Sequence, residues 1–98
     1  PCLTTPDEID DPGALQRRCS ILRAGRAVFS GAVSTARMRQ GVDALVSWLL
    51  RDNPVPAGTV LSTGTGLPVP AAAALANGDE VEIEAQSIGR LSNPVRGR

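Results

Sequence analysis

The chain has 98 residues, of which ten are basic, ten acidic and 42% apolar. That length suits one domain or part of one, and the apolar share argues against disorder. Charge balance, a basic tail no longer than Arg96-Gly97-Arg98 and only Phe29 and Trp48 as aromatics argue against nucleic-acid binding. No apolar run approaches the ~20 residues that a membrane span needs. No charged-then-apolar leader is visible, so no secretion signal is expected, and the reduced thiols expected of Cys2 and Cys19 fit a cytoplasmic protein.

Residues 1–13 hold three prolines and four acids and read as a loop. Thr5-Pro6-Asp7-Glu8 and Asp10-Asp11-Pro12-Gly13 are turn signals within it. The chain starts at Pro1 rather than methionine, for which a truncated segment of a longer protein is the simpler explanation. Residues 17–22 alternate as a strand, with Cys19 and Ile21 on one side and Arg18 and Ser20 on the other. Ala24-Gly25 makes a tight turn, and residues 26–30 return as the second strand of a hairpin. Cys2 and Cys19 could pair, but two cysteines make no disulfide framework, and reduced thiols are expected.

Ser34-Thr35 offers N-cap hydroxyls for a helix over about 36–52. Met38, Val42, Leu45, Val46 and Leu49 form its apolar stripe, expected to pack on a sheet. Pro54 disfavours helical geometry at Asn53 and stops it. Thr59-Val60-Leu61-Ser62 reads as a buried strand running into the bend Thr63-Gly64-Thr65-Gly66. Residues 67–77, with two prolines and an alanine run, read as a loop. Asn77-Gly78-Asp79 turns the chain into the strictly alternating strand 80–85, and residues 90–95 return beside it. Pro94 places that last strand at an edge or near its end. One main helix among several strands is an α+β, mostly β architecture.

Two stretches carry candidate chemistry. Glu82-x-Glu84 puts two carboxylates on one face of a strand, where they could hold a divalent cation or simply form a solvated face. The solvated face is the favoured reading, because no third oxygen-rich cluster completes a shell. The bend at residues 63–66 can bring backbone N–H groups and threonine hydroxyls to an anion or carbonyl. It lacks the Lys-Ser/Thr of a P-loop. No histidine occurs, so a Ser-His-Asp or Cys-His site within this chain is excluded.

Taken in order, Pro1 to Ile9, Ser34-Thr35 before Met38, Ala57 to Gly66, Asn77 to Glu84 and Ile88 to Val95 resemble the C-terminal part of the fumarylacetoacetate hydrolase family. Leu49 to Pro54 with Thr63 to Leu67 is similar to the branch containing 2-keto-3-deoxy sugar-acid dehydratases. The resemblance implies mixed β-sheets rolled around a central site, with residues 1–98 as the C-terminal part of a single catalytic domain and the N-terminal metal-binding part absent. It implies a homodimeric enzyme that uses Mg²⁺ or Mn²⁺ on 2-oxo acids or β-diketo acids, by C–C hydrolysis, dehydration, decarboxylation or isomerisation. The family's metal ligands and catalytic lysine precede this segment, and the chain has no lysine. Neither metal ligands nor catalytic residues are therefore assigned here, and the isolated chain is expected to be inactive. What carries over is Thr65 as a ligand of the substrate's carboxylate or carbonyl, Gly64 for close backbone approach, and Thr63 as support for the bend. Residues 67–77 depart from the family pattern, with alanines where larger apolar residues stand. The competing reading is a small, non-enzymatic, β-rich binding or assembly module.

Overall fold

The computed structural model describes residues 4–97, so Cys2 and the start of the Pro1 to Ile9 segment lie outside the described residues. Strands β1 (Gln16–Arg23) and β2 (Arg26–Ser34) form an antiparallel hairpin. Ala24 and Gly25 both have positive φ, 49° and 75°, the pair of left-handed conformations that a type I′ turn needs. Strands β3 (Glu80–Ala85) and β4 (Gly89–Pro94) form a second antiparallel pair. β3 docks against β1, giving a four-stranded antiparallel sheet in the order β2-β1-β3-β4. One helix, α1 (Val42–Leu50), follows β2. The architecture is the expected one, mostly β with a single main helix.

Alternation gives the sheet two unlike faces. Arg18, Ser20, Glu82 and Glu84 share the polar face through the register pairs Arg18↔Glu84 and Ser20↔Glu82. Arg17, Cys19 and Ile21 share the other face with Ala85, Ile83 and Val81. The loop after α1 lies across that second face. A Cβ at Gly66 would stand 2.9 Å from Val33, and one at Gly31 would stand 2.9 Å from Leu67. Ile21 and Ala73 are the buried apolar residues, 2% and 3% exposed.

Arg23 and Asp79 lock the far end of this face. Arg23 donates from Nε and Nη2 to the two carboxylate oxygens of Asp79, each at 2.8 Å. Arg23 Nη2 also donates to the Ala74 carbonyl, and the Ala76 N–H donates to Asp79. One buried carboxylate thus fixes the end of the loop to both β1 and the start of β3.

Three expectations change. The helix spans Val42–Leu50 and not 36–52. Thr35–Arg37 is a short 3-10 turn capped by Ser34, whose Oγ accepts from Ala36 N. Thr35 itself is drawn away from helix capping, since its hydroxyl donates to Pro12 O and accepts from Leu15 N. Gly41 then serves as N-cap, a place where its conformational freedom is less costly than inside a helix. Residues 59–62 belong to no strand, and Val60 is 90% exposed. The sheet ends at β2 and β4 among the described residues, so no neighbour pairs with this segment. The helical stripe is not closed over either. Leu45 and Leu49 are half-buried, while Val42, Val46 and Trp48 stay exposed. Residues 67–77 form the expected loop, with one 3-10 turn at Ala71–Ala73.

Candidate functional site

The end of β2, the 3-10 turn after it, α1 and the bend at residues 63–66 enclose a cleft of about 480 Å³. Thr63, Gly64, Thr65 and Gly66 all line it. The bend therefore sits at a concave surface. A second, more apolar groove of about 520 Å³ runs along Leu67, Val69 and Ile83. Arg17, Val33, Gly64, Thr65 and Gly66 line both, and so form the saddle between them.

Local chemistry shapes the saddle. Gly64 has φ +82°, a conformation that L side chains rarely adopt, and open space where its Cβ would stand. It reverses the backbone there. Gly66 packs tightly on Val33. Thr65 Oγ1 accepts from Leu67 N at 3.2 Å. This bond closes the turn and leaves the hydroxyl hydrogen free to donate to an oxygen ligand. Thr63 makes no side-chain hydrogen bond among the described residues, so the hydroxyl that supports the bend is that of Thr65. The backbone N–H groups of residues 63–66 also have no protein partner among the described residues. The bend thus brings two threonine hydroxyls and several unpaired N–H groups to the wall of the cleft.

The cleft is cationic. Arg17, Arg37 and Arg39 line it, and neither concavity has an aspartate or glutamate in its wall. Arg37 and Arg39 are exposed, whereas Arg17 is half-buried. The Nε of Arg17 is buried without a hydrogen-bond partner. None of these three arginines stood out in the sequence. A signal was present: the alternation that places Cys19 and Ile21 on the apolar face places Arg17 there too.

Glu82 and Glu84 lie on the opposite, polar face. Arg90 sits between them, 3.8 Å from Glu82 and 3.9 Å from Glu84. They form the solvated charged face that the alternation favoured. Among the described residues no three His, Cys, Asp or Glu side chains lie together as a metal shell. The residues in hand therefore do not fit a divalent ion, and no chemical step is assigned through one here. Cys19 is a free thiol. Among the described residues no helix is long and apolar enough to cross a membrane.

The family model of the fumarylacetoacetate (FAA) hydrolase C-terminal region matches residues 1–96. The chain belongs to the fumarylacetoacetate hydrolase family. Within it, the chain is 41% identical over 98 residues to 2-dehydro-3-deoxy-D-arabinonate dehydratase of Saccharolobus solfataricus, covering all of this chain and 33% of that one. It is 39% identical over 95 residues to a probable 2-keto-3-deoxyxylonate dehydratase of Haloferax volcanii, again covering 33% of the relative. A solved structure of 2-keto-3-deoxy-D-arabinonate dehydratase complexed with magnesium and 2,5-dioxopentanoate superimposes with a TM-score of 0.91 at 41% identity. That superposition covers 97% of this chain and 34% of the other. The chain spans about a third of the length of the curated relatives it matches. The family and fold that the ordered motifs implied are those found.

Proposed function

We propose that this chain is the C-terminal part of a metal-dependent enzyme of the family that dehydrates 2-oxo-3-deoxy sugar acids. The observation that carries the reading is the bend at residues 63–66, a set of hydrogen-bond donors on the wall of an arginine-lined cleft. Such a surface suits a small, oxygen-rich acid. Arginine attracts and orients a carboxylate, and a threonine hydroxyl with free backbone N–H groups can hold a carboxylate or carbonyl oxygen. The identity of 41% and 39% to two sugar-acid dehydratases favours dehydration over C–C hydrolysis, decarboxylation or isomerisation.

In this reading residues 1–98 are one part of a single catalytic domain. The Mg²⁺ or Mn²⁺ ligands and the acid–base group lie elsewhere in the enzyme, and the isolated chain is inactive. When bound, the divalent ion supplies stabilisation of negative charge on the substrate's oxygens. The residues of this chain bind and orient: Thr65 donates to a carboxylate or carbonyl oxygen, Gly64 reverses the backbone, and Thr63 completes the wall. The resemblance also carries a cytoplasmic homodimer to the whole enzyme.

The test is to supply the complete enzyme, loaded with Mg²⁺, with a 2-oxo-3-deoxy pentonate and follow water loss as the appearance of an aldehyde. Aldehyde formation without carbon–carbon cleavage is expected. Turnover of an acylpyruvate with no dehydration of the sugar acid would reject the dehydratase assignment. Sedimentation equilibrium of the same preparation reads the dimer.

A further inference from the structure

We propose that Arg17 grips the substrate's carboxylate beside Thr65 and thereby sets the preference for acids over neutral oxo compounds. The inference rests on the 2-oxo-acid reading above and adds a residue to it.

Two arginines share one face of β1. Arg17 and Arg23 stand at opposite ends of the row that also holds Cys19 and Ile21. A guanidinium carries its charge at any accessible pH, so its buried N–H groups need acceptors. Arg23 has them in full, with both carboxylate oxygens of Asp79 and the Ala74 carbonyl. That arginine is structural. Arg17 has a buried Nε with no acceptor among the described residues. A buried donor without a partner is destabilising, and a ligand that supplies the missing acceptor relieves that cost.

Position tells which ligand. Arg17 pairs in register with Val33, and Val33 is the side chain on which Gly66 packs. Arg17 therefore lies one side chain away from the bend, and both line the same two concavities. Neither wall offers a carboxylate of its own to neutralise it. The planar fork of arginine matches the two oxygens of a carboxylate, and the Thr65 hydroxyl hydrogen is free to meet one of them. Arg37 and Arg39 are exposed and attract the acid from a distance; Arg17 is the half-buried one that can make a directional contact.

The test uses the complete enzyme with Arg17→Met and Arg17→Lys, and pyruvate against its neutral amide as binding probes. In Arg17→Met the KM for the sugar acid should rise roughly 10- to 100-fold, as for a lost charge-assisted hydrogen bond. The fall in kcat should be smaller, and the preference for pyruvate over the amide should vanish. Arg17→Lys should keep part of that preference but not the wild-type KM, because it retains charge without the fork. The melting temperature of unliganded Arg17→Met should be unchanged or raised, whereas a purely structural arginine would lower it. Wild-type KM and wild-type acid preference in Arg17→Met overturn the proposal. If that variant does not fold, a wild-type KM in Arg17→Lys overturns it. A wild-type enzyme that dehydrates the sugar acid while Arg17→Met behaves identically rejects Arg17 alone. A wild-type enzyme inactive on every 2-oxo acid rejects the functional reading beneath it.

Discussion

Asp79 is 1% exposed and spends its carboxylate on Arg23 and the Ala76 N–H. The Arg23 guanidinium and that backbone donor hold its carboxyl at a pKa of about 2, below the ordinary value of 3.8. A carboxylate whose folded pKa is depressed adds stability above its unfolded pKa and loses it as pH falls through the folded one. Wild-type stability should therefore decline between about pH 4 and pH 2. In the complete enzyme Asp79→Asn should lower the melting temperature by several degrees at neutral pH and flatten that acid limb; a thermal melt series from pH 2 to 7 reads both. Thr65 poses a different question, because its oxygen serves the turn and its hydrogen is free. In the complete enzyme Thr65→Val should lower kcat/KM by about 1–3 kcal/mol, roughly 5- to 150-fold, as for one lost buried hydrogen bond. Thr65→Ser keeps both atoms and should stay near wild type. Unchanged kinetics in Thr65→Val would leave the residue a turn former only.

At the scale of elements, the loop lies on the sheet by backbone contact. Gly66 has room for hydrogen and nothing more, with Val33 Cγ2 2.9 Å from where a Cβ would stand. A valine methyl close to its own backbone cannot swing away as the end of a long side chain can. In the complete enzyme Gly66→Ala should therefore destabilise by about 1–3 kcal/mol, the usual range for overpacking. Adding Val33→Ala should recover part of the loss, and a double-mutant cycle measured by denaturant unfolding reads the coupling. Elements whose signal is local were legible in the sequence. Strict alternation marked residues 80–85, and Ala24-Gly25 marked the hairpin turn. Elements that depend on distant partners were not. The hydroxyl of Thr35 is taken by Pro12 and Leu15, some twenty residues away, and the helix starts at Val42 instead. Residues 59–62 have the composition of a strand, but strand formation needs a neighbour, and none is present among the described residues. The site divides in the same way. The donor-rich bend was readable from Thr63 to Gly66, whereas the cationic wall joins Arg17 of β1 to Arg37 and Arg39 of the segment between β2 and α1, two stretches that only the fold brings together.

For the whole molecule, surface area is the decisive quantity. A self-contained protein of 10.1 kDa exposes roughly 5,300 Å² by the usual scaling with mass, whereas this chain exposes 7741 Å². Its radius of gyration is 15.8 Å, against about 13 Å for a compact domain of this length. The difference in area, roughly 2,400 Å², is what a large obligate interface buries. Its composition points the same way. Val60 is 90% exposed, Trp48 63% and Leu50 54%, while Ile21 and Ala73 are the buried apolar residues. Among the described residues so little apolar surface is fully buried that it cannot offset the entropy of ordering this backbone. The 98-residue chain alone should therefore bind 8-anilinonaphthalene-1-sulfonate and melt gradually, without a cooperative transition. In the complete enzyme the same residues should melt in one sharp step, with the dye excluded. A sharp, concentration-independent monomeric melt of the isolated chain, with no dye binding, would instead support an autonomous β-rich module. The two outcomes separate cleanly, because covering by further protein surface removes both the exposed apolar area and the open sheet edges at β2 and β4.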